Sequence, residues 1–162
     1  MTTKPVDFGG DPKLPWSWEG NVQAQVARFL VAEGWTLERV ADTASRQRGI
    51  DLVATKGERR LAIEVKGFPG TVYARGAKVG QPKPTPPNLQ ARIWLAEALL
   101  TAVLMGSSNA RTEIALAFPD VIRYRELLGK IGYAIDRLGL RVFLAHESGG
   151  VTELQKGTSP KK

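Results

Sequence analysis

Cysteine is absent from the 162-residue chain, which excludes disulfide bracing and every thiolate metal centre. Histidine occurs once, at His146, so a His-rich zinc site is excluded and any Ser-His-Asp triad would have to use that imidazole. Long hydrophobic runs are missing too. The longest, residues 98–105, is interrupted by Thr101 and falls far short of the ~20 apolar residues that span a bilayer. The first 18 residues lack the apolar stretch of a signal peptide. What remains is ordinary for a globular chain, with 43% hydrophobic and 24% charged residues. These values predict a soluble, cytoplasmic protein with no membrane partner. A flexible arm (1–15), a single domain (16–154) and a disordered basic tail (155–162) are expected.

Acidic residues are scarce in one region. Between Arg46 and Arg92 there are ten Lys or Arg residues and three acids, a balance of +7 that equals the net charge of the whole chain. Such a concentration suits a phosphate backbone, through counterion release and steering; the bland alternative is a solvated basic face.

Hydrophobic spacing predicts a helix over 19–33, with Val22, Val26, Phe29 and Leu30 on one stripe and Gly34 ending it. Strands are expected over 36–41, 49–55 and 60–66. Residues 67–88 then form a long loop with four Gly, five Pro, three basic residues and no acid. Asn88 is expected to cap a helix over 89–105, and Asp120 a third helix closed by Gly139. Strands over 112–118 and 141–145, with a short edge at 151–154, complete the order. The fold class is α/β, a sheet covered by helices on both sides.

The chemistry concentrates in the 49–66 hairpin. A tight turn at Gly57-Glu58, with Gly first as a II′ turn prefers, pairs Lys56 with Arg59. Counting outward places Asp51 opposite Glu64, and strand alternation puts Lys66 on the face of Glu64. Two carboxylates and a lysine thus converge among Ile50, Leu52, Val53, Ile63 and Val65. Close carboxylates repel, and Mg²⁺ (or Mn²⁺) relieves that while keeping waters for a substrate phosphate. Lys66 would act on an attacking water or on the phosphorane charge, the pattern of metal-assisted phosphodiester hydrolysis. The competing reading is a plain surface salt bridge.

RGIDLVA, a turn and LAIEVKG together resemble the PD-(D/E)XK nuclease superfamily. The resemblance implies a restriction-endonuclease-like three-layer αβββαβ core, here with an added helix and strand. It also implies metal binding by Asp51, Glu64 and the Val65 carbonyl, and a catalytic Lys66. The chain is locally similar to archaeal Holliday-junction resolvases, in which a first-helix Glu completes the metal site. Here Gln23 occupies that position and Glu19 lies one turn earlier. RecB-type nucleases carry Q-x-x-x-Y on the helix after the lysine strand. Gln90 and Trp94 stand at that spacing, with Trp in place of Tyr; Gln90 would reach substrate or the metal's water.

In the long loop, Arg75, Lys78 and Lys83 suit phosphates, while Phe68 and Tyr73 suit stacking on unpaired bases. Arg46, Arg48 and Arg92 are further candidate DNA contacts. Trp16, Trp18 and Trp35 read as packing around the first helix, and His146 as structural. The expected activity is DNA cleavage of a repair, recombination or restriction type, by a homodimer, since two strands of a duplex need two sites. The alternatives are a non-catalytic nucleic-acid-binding module on the same fold and a protein-interaction domain with incidental basicity.

Overall fold

The computed structural model describes residues 7–44 and 48–155. Three helices and six strands follow the order α1 (Glu19–Ala32), β1 (Thr36–Val40), β2 (Leu52–Lys56), β3 (Arg59–Val65), α2 (Pro87–Ser108), β4 (Glu113–Pro119), α3 (Ile122–Leu138), β5 (Arg141–Ala145) and β6 (Val151–Glu153). Arg46, residues 1–6 of the arm and 156–162 of the tail lie outside the described residues.

The six strands form one mixed sheet in chain order. The pairs β1–β2, β2–β3 and β5–β6 are antiparallel, whereas β3–β4 and β4–β5 are parallel. Parallel neighbours need crossover helices, and two successive right-handed crossovers in one direction put α2 and α3 on the same face. The first helix covers the other face. Alternation along the strands feeds both layers. Leu61, Ile63 and Val65 of β3 join Val22, Val26 and Leu30 under α1. On the opposite face, Ala62, Leu116, Phe118 and Leu144 meet Leu95, Ala98, Tyr124 and Leu128 of α2 and α3.

The hairpin register is as the turn chemistry predicts: Lys56 pairs with Arg59 and Leu52 with Ile63. Gly57 has φ +60°, the left-handed value required at the first central position. The ladder starts at Leu52, so Asp51 sits one residue beyond it.

The cap assignments differ. Pro86 precedes α2 and Pro87 opens it, leaving Asn88 inside the first turn; proline's fixed φ suits that position. Val121, not Asp120, precedes α3. Asp120 instead pairs with Arg125 and with His146 Nδ1 at 2.6 Å, and its side chain is only 4% exposed. His146 Nε2 lies 2.6 Å from Thr152 Oγ1, so this chain of contacts ties the ends of β4, β5 and β6 together.

Among the described residues one helix, α2, is long and apolar enough to cross a membrane by length and composition. Counting only uninterrupted apolar residues overlooks it. One face of α2 packs on β3, β4 and α3.

Tyr124, fully buried, donates its hydroxyl to the Gly67 carbonyl at 2.8 Å. Burial pushes its phenol pKa up. Tyr124→Phe leaves that carbonyl without its partner and is expected to cost about 1–2 kcal/mol in urea unfolding. An unchanged midpoint would show that water replaces the bond.

Candidate active site

The site forms where β3 ends. Arg39 donates through Nε to the Ile50 carbonyl at 2.7 Å and through Nη2 to the Arg48 carbonyl at 2.8 Å. The Ala41 amide donates to the Asp51 carbonyl at 2.8 Å. These bonds hold the approach to β2, and Asp51 Oδ2 then accepts the Val65 amide at 2.7 Å. Across the strand end, Lys66 Nζ lies 2.9 Å from Glu64 Oε1. Glu64 is 7% exposed, which a carboxylate tolerates only when partnered.

Glu19 arrives from the first turn of α1, brought there by a close approach of backbones. The Phe68 amide donates to the Ser17 carbonyl at 2.8 Å, and the Gly67 amide bonds to Glu19. A Cβ on Gly67 would lie 2.5 Å from the Glu19 nitrogen; glycine is required here by space. Glu19 also begins a helix, where the dipole favours a carboxylate. Gln23 is committed elsewhere: its Nε2 donates to the Ala41 carbonyl at 2.6 Å. The first-helix acid at the cluster is therefore Glu19.

Electrostatics records the crowding. Burial, then the Glu64 charge, raise Asp51 to about 7, against the Val65 hydrogen bond. Burial also raises Glu19, opposed by Lys66 and reinforced by Glu64. Burial works against the Lys66 ammonium, but its bond to Glu64 and the charges of Glu64, Glu19 and Asp51 outweigh it and raise its pKa. Lys66 is thus held as a cation here.

No protein family, curated protein or solved structure matches this chain. What the cluster can do follows from its atoms.

Its donors are hard oxygens, the class Mg²⁺ selects. Among the described residues no three acidic or imidazole groups are gathered into a metal cage; Asp51 bonds Val65 and Glu64 bonds Lys66. Mg²⁺ does not need one, because it takes one or two carboxylates and keeps its waters. Mutual repulsion among Glu19, Asp51 and Glu64 is the feature a cation would relieve. Gln90, in the first turn of α2, has a buried Oε1 that finds no hydrogen-bond partner among the described residues, an acceptor still in need of a donor.

The basic residues divide. At the hairpin turn, about 20 Å from the end of β3, Arg59 pairs with Glu113 at 2.7 Å and Arg60 with Glu38 at 3.4 Å. Lys56 bonds the Glu33 carbonyl at 2.6 Å. This part of the positive stretch is committed within the fold, which linear charge counting missed.

The loop after Lys66 is folded back on itself. Tyr73 donates to Gln81, Gly80 to Tyr73, and Lys83 to Thr71 through backbone bonds of 2.9–3.0 Å. The Lys78 and Lys83 ammonium groups lie 5.7 and 5.8 Å from the Tyr73 ring centroid. Arg75 stacks on Trp18 at 4.4 Å. Phe68 packs edge-on against Tyr124 at 5.8 Å, which removes it as a base-stacking platform. Arg48 and Arg92 are exposed. Arg46 lies outside the described residues.

Proposed function

We propose that this chain is a Mg²⁺- or Mn²⁺-dependent DNA nuclease of the PD-(D/E)XK kind, on a restriction-endonuclease-like core. The observation that supports this most is the cluster itself. Glu19, Asp51, Glu64 and Lys66 meet at one strand end, with Asp51 raised to about 7 by burial and repulsion. A fold gains no stability from such crowding, so a ligand or a reaction accounts for it better.

In this reading Asp51 and Glu64 hold the metal, with the Val65 carbonyl and Glu19 beside them. When bound, the metal supplies Lewis acidity at the scissile phosphate. Lys66, held as a cation, faces the negative charge that builds on the phosphorane. The buried Gln90 acceptor suits a metal-held or attacking water. Tyr73, Arg75, Lys78 and Lys83 supply stacking and phosphate contacts for the strand leading to the site.

The test is a parallel assay of purified protein on single-stranded, duplex and four-way DNA, with Mg²⁺, Mn²⁺ or EDTA. Cleavage that needs the metal is expected; its absence on every substrate would reject the enzyme. The basic loop favours one second reading, a nucleic-acid-binding module without catalysis, which would bind these DNAs and leave them intact. Under either reading Lys78→Gln with Lys83→Gln is expected to lower the slope of log affinity against log salt by about 2. An unchanged slope would remove the loop from the interface.

A further inference from the structure

Among the described residues nothing packs on the second face of α2. Its buried residues, Ala91, Leu95, Ala98 and Ala102, point at the sheet and α3. On the opposite side Leu89, Ile93, Leu100, Val103 and Leu104 are 49%, 45%, 60%, 37% and 59% exposed. Leu89, Ile93, Ala96, Leu100 and Val103 recur at alternating steps of four and three, the heptad rhythm of a coiled-coil seam. The seam covers about 21 Å of helix, with the small Ala96 at its centre. Such a run is seldom left in water without use.

Charge says what covers it. Arg92 and Glu97 flank the stripe, one on each side, and both are exposed. Five residues apart, they lie about 140° apart around the helix and cannot pair within it. In the heptad they hold the g position and the following e position. In a parallel, in-register pair these two positions meet across the seam, Arg92 of one helix against Glu97 of the other. A lipid surface would instead favour cationic residues on both flanks.

We propose that a second copy of this chain docks on α2, with the two α2 helices parallel and in register about a two-fold axis. The interface is isologous, so each copy contributes both charges. α2 follows β3 through the 66–86 loop and runs back along the sheet, so its N-terminus lies at the end of β3 that carries Glu64 and Lys66. Parallel pairing therefore brings both clusters to one end of the dimer. Arg92 then serves association rather than DNA. The association does not depend on the catalytic reading: a monomer that cleaves and a dimer that does not are separate outcomes.

The experiment is sedimentation equilibrium of the full chain up to about 0.5 mM, a range that captures micromolar affinities. The wild type is expected to dimerise. Leu100→Glu, at an exposed site that leaves the melting curve unchanged, is expected to weaken the dimer by at least about tenfold. Arg92→Glu alone should weaken it and Arg92→Glu with Glu97→Arg should restore it. The chain has no cysteine, so Ala96→Cys introduces a single thiol that should oxidise to a disulfide-linked dimer, whereas Lys130→Cys on α3 should not. A monomeric wild type, or a dimer indifferent to Leu100→Glu, overturns the proposal. Failure of Ala96→Cys to cross-link, or of the charge swap to restore, overturns the parallel register. A monomer that binds phosphatidylcholine vesicles through Leu100 assigns the stripe to lipid and overturns it as well.

Discussion

Replacing Lys66 by alanine is expected to reduce metal-dependent DNA cleavage by about two to three orders of magnitude in single-turnover assays. The effect is large because Lys66 is the cation within hydrogen-bonding distance of Glu64, and its raised pKa keeps it charged at every pH at which the protein would work. Lys66→Arg keeps the charge but not the compact ammonium, and should recover only part of the rate. DNA affinity at fixed salt should hardly change, since the loop cations remain. The alanine variant should also lose stability as pH rises, because Glu19, Asp51 and Glu64 would lose their shared counter-charge; Mg²⁺ should return part of it. Cleavage at the wild-type rate would show that hydrolysis, if present, occurs elsewhere.

Asp51→Asn carries the second large effect, and its sign differs between stability and activity. Asp51 has its folded pKa raised from 3.8 to about 7, so the folded state binds the proton more tightly than the unfolded chain does. That contribution is full below the unfolded pKa and is lost as pH rises through about 7. The asparagine variant is independent of this titration and still offers the Val65 amide an oxygen. Relative to wild type it should therefore gain roughly 2–4 kcal/mol between pH 4 and pH 8 in metal-free buffer. Activity should move the other way. Mg²⁺ should raise the wild-type melting temperature at pH 8 and leave the variant nearly unmoved, with cleavage lost. A variant that gains no stability at high pH would mean that Asp51 is ionised and comfortable in the fold. An equal response to Mg²⁺ would remove it as a ligand.

Much of this site is legible without coordinates because its register is set locally. Gly57 fixes the turn, the turn fixes the pairing of Lys56 with Arg59, and counting from there brings Asp51 against the Glu64 region. Alternation along β3 then assigns Glu64 and Lys66 to one face. The roles of Glu19 and Gln23 were not legible in this way. Both are polar residues on the first turns of α1, and the choice between them depends on how closely α1 approaches Gly67, a contact between segments far apart in the sequence. Asp120 was misread for a related reason. It has the residue type and position of a helix cap, but His146 comes within 2.6 Å of it only once β4 and β5 are paired.

α2 gives the same lesson from the other side. Its apolar residues surround the helix, so their spacing alone does not say which of them are core. Packing on β3, β4 and α3 takes Leu95, Ala91, Ala98 and Ala102 and leaves Ile93, Ala96 and Leu100 in water. The sequence by itself determined the α/β order, the hairpin register and the place along the chain where acids and lysine concentrate, because turn geometry and strand alternation act over a few residues. Only the tertiary structure decided which first-helix side chain reaches that place, which basic residues are already paired, and which face of α2 is left exposed, because those outcomes depend on distant surfaces being brought together.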